Sequence, residues 1–135
     1  MKAAGVLTGA ALLSVVIVGT ANAGPPSSVN VDERANGHTI TLHQGQSLHV
    51  VLYSTYWTID GGHNRSVRTR GDQQIVSDTH SPGCRPGQGC GQVNRNFVAV
   101  TPGFATVTAS RTTCGEALRC SPDKSSWKLT VRVVP

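Results

Sequence analysis

One segment, residues 97–111, constrains the fold more than any other part of the chain. It reads Phe97-Val98-Ala99-Val100-Thr101-Pro102-Gly103-Phe104-Ala105-Thr106-Val107-Thr108-Ala109-Ser110-Arg111. β-Branched and small residues flank Thr101-Pro102-Gly103, and no 3.6-residue period runs through them. Proline presets φ for the first central position of a tight turn, and glycine accepts φ > 0 at the second. The segment therefore predicts two extended strands joined by a turn, in a chain built from strands rather than helices.

The rest of the sequence extends that pattern. Residues 38–43 alternate, with Ile40 and Leu42 on one face (strand A), and residues 47–53 place Leu48, Val50 and Leu52 inward (strand B). Residues 56–60 form strand C with Trp57 and Ile59 sharing a face, and residues 73–77 a short strand D around Ile75 and Val76. Strand E covers 92–100, strand F 105–111 and strand G 126–134, where Trp127, Leu129, Val131 and Val133 share one parity. Seven short strands separated by turn signals, without a helical segment, predict a seven-stranded antiparallel β-sandwich over residues 38–135. Residues 61–72 read as a polar, basic loop. The Pro/Ser/Asn-rich residues 24–37 read as a flexible lead-in.

The first 23 residues read as a leader outside the fold. Lys2 supplies a minimal basic region, residues 3–18 are apolar, and Ala21-Asn22-Ala23 matches a small-residue cleavage site. The expectation is a secreted protein with no membrane segment after cleavage. An exported chain with four cysteines favours disulfides over a zinc site. Cys84 and Cys90 are separated by five residues, as are Cys114 and Cys120, and two local rings are the favoured pairing, with cross-linked loops the alternative. Each ring would contribute only ~2 kcal/mol, because the loop it closes is short.

Antiparallel succession would bring the B–C link (Ser54-Thr55), the D–E loop (78–91) and the F–G loop (112–125) to one end of the sandwich. Disulfides spent on two neighbouring loops would make that end rigid, which lowers the entropy cost of binding. Catalysis has little support. No G-x-S-x-G elbow is present, and the seven carboxylates fall in the lead-in, in loops or at loop edges. The five histidines form no convergent set, so neither metal nor cofactor is expected. The formal charge of +5 is carried mainly by arginines, with Arg65, Arg68 and Arg70 clustered. No base-stacking aromatics accompany them, and a nucleic-acid role is not expected.

The order Ile40-Thr41-Leu42-His43-Gln44-Gly45-Gln46-Ser47-Leu48-His49-Val50, then Tyr56-Trp57, a glycine-rich loop, and residues 97–111 resembles the chagasin-type cysteine-peptidase inhibitors. The resemblance spans nearly the whole domain and implies an Ig-like sandwich that engages a papain-like cleft with three loops at one end. The family's Asn-Pro-Thr-Thr-Gly loop corresponds to Ser54-Thr55 alone. Its Gly-x-Gly-Gly loop corresponds to Gly87-Gln88-Gly89-Cys90-Gly91, and its Arg-Pro-Trp loop to Arg111-Thr112-Thr113. The resemblance thus implies a monomeric inhibitor-type binding module with altered loops and a protein partner, with Ser54, Thr55, Tyr56, Gly87, Gln88, Gly89, Arg111, Thr112 and Thr113 as candidate partner-binding residues. A shorter resemblance, over residues 100–109, is to bacterial group 2 Ig-like domains and implies instead a structural or adhesive module on a cell-wall polymer or anionic surface.

Overall fold

Alternation of buried and exposed residues carries directly into two facing sheets in the computed structural model of the chain. The structure describes residues 27–61 and 64–135, together with Gly19 and Gly24. The expected leader, apart from Gly19, and His63 lie outside the described residues. The strands are β1 (Ser28–Val31), β2 (Thr39–His43), β3 (Ser47–Tyr53), β4 (Thr58–Ile59), β5 (Val67–Thr69), β6 (Gln74–Ser77), β7 (Gly91–Ala99), β8 (Gly103–Ser110), β9 (Thr113–Gly115), β10 (Leu118–Arg119) and β11 (Ser126–Val134). One sheet runs β1-β3-β7-β5, with β6 also on β7; the other runs β2-β11-β8-β4; β9 and β10 form a separate hairpin. Leu48, Val50 and Leu52 of β3 and Leu129, Val131 and Val133 of β11 share one core that also holds Phe97 and both tryptophans. The Ig-like sandwich therefore stands, with its strand G and strand B positions as predicted.

Three features differ from the sequence reading. First, residues 28–35 are not a flexible lead-in. β1 pairs in parallel with β3, from Ser28 opposite Ser47 to Val31 opposite Val50. Val29, Val31 and Ala35 pack on the core. The turn of 3-10 helix at Glu33–Ala35 is tied down by the Trp127 indole, which donates to the Asp32 carbonyl at 3.2 Å, and by the Tyr53 amide, which donates to the Glu33 carboxylate. Composition conceals this, because a four-residue strand with two apolar side chains gains its order from a partner distant in sequence. The folded unit accordingly starts before residue 38.

Second, the sandwich is not antiparallel throughout. Besides β1 on β3, β2 pairs in parallel with β11 from Thr39 opposite Thr130 to His43 opposite Val134. Third, the segment 97–111 does not fold back within one sheet. β7 and β8 belong to opposite sheets, so Thr101-Pro102 carries the chain across the sandwich. Val100 and Thr101 donate to the Ser66 carbonyl at 2.8 and 3.4 Å, which removes the ladder the two strands would otherwise share. Gly103 sits at φ +145°, and a Cβ there would lie 2.7 Å from Ser66 Oγ.

The basic segment after residue 60 contains β5, which pairs with residues Ala99 to Phe97 of β7. Together β5 and β6 make one interrupted edge strand along β7. The predicted strand C is shorter than expected, only Thr58–Ile59, and is held on its free side by side chains. Gln73 Oε1 accepts from the Ile59 amide at 2.6 Å, Gln73 Nε2 donates to the Trp57 carbonyl at 3.2 Å, and Arg95 donates to the Ile59 carbonyl at 2.8 Å. These bonds satisfy buried backbone groups that a two-residue strand leaves open.

Candidate functional site

The end of β3 meets the two long loops at one pole of the sandwich. The Ser54 amide donates to the Gly91 carbonyl and the Thr55 amide to the Gly89 carbonyl, both at 2.9 Å. The Tyr56 hydroxyl donates to the Gly87 carbonyl at 2.5 Å. A Cβ on Gly89 would lie 2.5 Å from the Tyr56 ring, and a Cβ on Gly87 2.9 Å from the Glu116 side chain. Both glycines have positive φ, +66° and +78°, so residue choice there follows from conformation and from close approach. Gly87 and Gly89 thus pack the first stapled loop against Tyr56 on one side and against the second stapled loop on the other.

The two disulfides are the local rings, Cys84–Cys90 and Cys114–Cys120, each with a sequence separation of six. Cys120 donates its amide to the Thr112 carbonyl at 2.9 Å, closing the base of the second loop. Between the loops lies a cleft of about 490 Å3 whose lining includes Arg85, Gln88, Glu116 and Leu118. Leu118 is 61% exposed at its rim. Ser54 (φ +119°) and Ala117 (φ +51°) are the non-glycine residues with positive φ among the described residues, and both lie at this pole. Such conformations persist where surrounding contacts over-determine them.

Arg111 leaves β8 and lies across the Trp57 ring, its guanidinium carbon 4.3 Å from the ring centroid. Its Nε donates to the Lys124 carbonyl and its amide to the Ser125 carbonyl, both at 2.9 Å. Desolvation pulls its pKa below the ordinary arginine value while Glu33 opposes the shift, and the group stays a cation at any physiological pH. The ring, 4% exposed, is fixed in the core, so the charge is held in place rather than swinging on a free stem.

The nine candidate residues are thus distributed unequally. Thr55, Tyr56, Gly87 and Gly89 interlock directly. Gln88 turns inward on its own loop, its Oε1 accepting from the Arg85 amide at 3.0 Å. Arg111, Thr112 and Thr113 form the root of the second loop, with Thr113 opening β9. Glu116 and Leu118 at the cleft, and Glu33 near Arg111, are not singled out by sequence reasoning. The β9–β10 hairpin that presents Glu116 and Leu118 has only five residues of strand, and no alternation signals it.

No protein-family model matches the sequence, and no curated protein matches it. Solved structures do. The solution structure of amebosin is similar with a TM-score of 0.55 at 17% identity, covering 82% of this chain and all of that one. The crystal structure of EhICP2, a cysteine protease inhibitor from Entamoeba histolytica, is similar with a TM-score of 0.59 at 12% identity, covering 79% of this chain and 96% of that one. At these identities the likeness is one of fold, and it coincides with the fold that the residue-level resemblance implies: the chain shares the β-sandwich fold of amebosin and EhICP2.

Proposed function

We propose that the protein is a secreted, non-enzymatic binding module that inhibits papain-like cysteine peptidases through the pole formed by Ser54-Thr55-Tyr56, the Cys84–Cys90 loop and the Cys114–Cys120 loop. The observation that carries this reading is the direct interlocking of three sequence-distant segments at one end, Thr55 to Gly89, Tyr56 to Gly87 and Gly87 to Glu116. Preorganised loops lose little entropy on docking, so a small contact surface yields measurable affinity. The fold likeness to a cysteine protease inhibitor supports a peptidase as the partner. The short Ser54-Thr55 link makes a shallow plug, and the protruding elements are the two stapled loops with Arg111 at their root.

Titration of the purified protein into papain with a fluorogenic peptide substrate tests this. Reversible inhibition with a dissociation constant at or below about 10 µM supports the reading. Arg111→Ala should weaken it about tenfold, as expected for loss of a held interface arginine. Absence of inhibition of papain and of a cathepsin L-type peptidase at about 100 µM refutes it.

A further inference from the structure

A second groove borders the pole at Tyr53 and Gln92, the chain neighbours of Ser54 and Gly91. It lies on the outer face of the β1-β3-β7 sheet, has a volume of about 640 Å3, and is lined in part by Asn30, Asp32, Arg34, Val51, Tyr53 and Gln92. We propose that this groove, continued along the outward side chains of β7, binds an uncharged glycan chain. It shares no residue with the peptidase site proposed above.

The groove has the components that sugar recognition requires. Tyr53, 61% exposed at the end of β3, offers an aromatic face on which the C–H face of a sugar ring can stack. In the same groove, Arg34 grips Asp32 through Nε and Nη2 at 3.1 and 2.9 Å. The pair cancels its own charge yet keeps unused guanidinium N–H donors and carboxylate lone pairs for hydroxyl groups. Each partner's pKa moves in the direction that keeps both ionised: Asp32 is lowered, first by the Arg34 amide and then by its side chain, and Arg34 is raised by Asp32.

Beyond the groove the sheet face stays amide-rich. Gln92 lies opposite Tyr53, Asn94 opposite Val51 and Asn96 opposite His49, so three carboxamides point outward at two-residue spacing along β7. That spacing is about 6.8 Å. Each carboxamide both donates and accepts, as a sugar hydroxyl does. No carboxylate occurs among the paired outward residues of β3 and β7, and no second large aromatic ring stands among them beside Tyr53 to make the apolar centre of a protein interface. Arg68, opposite Val98, stands at the far end of this face; within the groove itself the Asp32–Arg34 pair is neutral, which fits a neutral, hydroxyl-rich ligand.

The test is isothermal titration of the protein with cellohexaose, chitohexaose, mannohexaose and laminarihexaose, at about 0.15 M and about 1 M salt. Saturable binding of at least one hexaose is expected, with affinity changing less than about twofold between the two salt concentrations. Tyr53→Ala should weaken binding about tenfold, Tyr53→Phe should retain it within about twofold, and Gln92→Ala and Asn30→Ala should each weaken it about threefold. Unfolding midpoints of the variants should match the parent protein and so exclude misfolding. No saturable binding of any of the four sugars, or Tyr53→Ala binding within about twofold of the parent, overturns the proposal. Loss of more than about fivefold in affinity at high salt also overturns it, because it would place the exposed arginines, and an anionic ligand, in charge. None of these results depends on peptidase inhibition, which is measured separately.

Discussion

Replacing Gln73 with methionine tests how the pole is supported. Gln73 lies in the break between β5 and β6 and reaches across to β4 with both ends of its carboxamide. Methionine keeps the length and volume of the side chain and removes both bonds. The Ile59 amide and the Trp57 carbonyl then lose their partners, in residues that are 0% and 4% exposed. A buried backbone group left unsatisfied costs about 1–3 kcal/mol, and because Gln73 itself is only half-buried, water reaches part of the site and the lower half of that range applies. The expected loss is about 2–4 kcal/mol, or a fall of roughly 8–16 °C in Tm for a domain of this size. Urea unfolding followed by tryptophan fluorescence reads it directly, and the m-value should be unchanged because the surface exposed on unfolding is the same. Gln74→Met, at an exposed neighbouring position, should stay within about 0.5 kcal/mol. A loss below about 1 kcal/mol for Gln73→Met, with m unchanged, would show that the β4 ladder with β8 suffices and that the bridging argument is wrong.

The other predictions concern the backbone, the disulfides and acid. Gly91→Ala should destabilise by more than about 2 kcal/mol in thermal or urea unfolding, since Gly91 has φ +128° and a Cβ there would lie 2.1 Å from the Val76 carbonyl oxygen. The paired substitution of Cys114 and Cys120 by serine should cost about 2 kcal/mol, the chain-entropy value for a ring of this size, and should weaken peptidase inhibition beyond what the stability loss explains. The Asp32 carboxyl is held below its ordinary value of 3.8 by the Arg34 amide and side chain. A lowered folded-state pKa gives stability that is full above the unfolded value and is lost as pH falls through the folded one. The melting temperature should therefore be insensitive to this group above about pH 5 and decline below about pH 4, and Asp32→Asn should make that acid decline shallower.

Much of the fold is legible in the order of residues along the chain. The single-parity run Trp127, Leu129, Val131 and Val133 marks one buried face, and β11 carries it as predicted. The equal spacing of the cysteine pairs favours the two rings that occur. Pole membership follows from counting strands, and it holds because the 97–111 segment still reverses direction even though it changes sheets. What alternation does not show is where a strand docks. β1 and β5 have too few apolar residues to announce themselves, and both are ordered by ladders to partners that lie far along the chain.

At the candidate sites the division is sharper. Sequence alone points to Thr55, Tyr56, Gly87, Gly89 and Arg111, because glycine patterns, short links and disulfide rings are local properties written in adjacent residues. It does not show that Gln88 folds back on its own loop or that Arg111 rests on Trp57. Nor does it reveal the bridging of β4 by Gln73 and Arg95, or the groove between Tyr53 and the Glu33–Ala35 turn. Each of those is a meeting of side chains between segments that the sandwich brings together. Period-2 hydrophobicity decides which face of a strand is buried; only the packing of the two sheets and their edges decides which polar groups end up as neighbours.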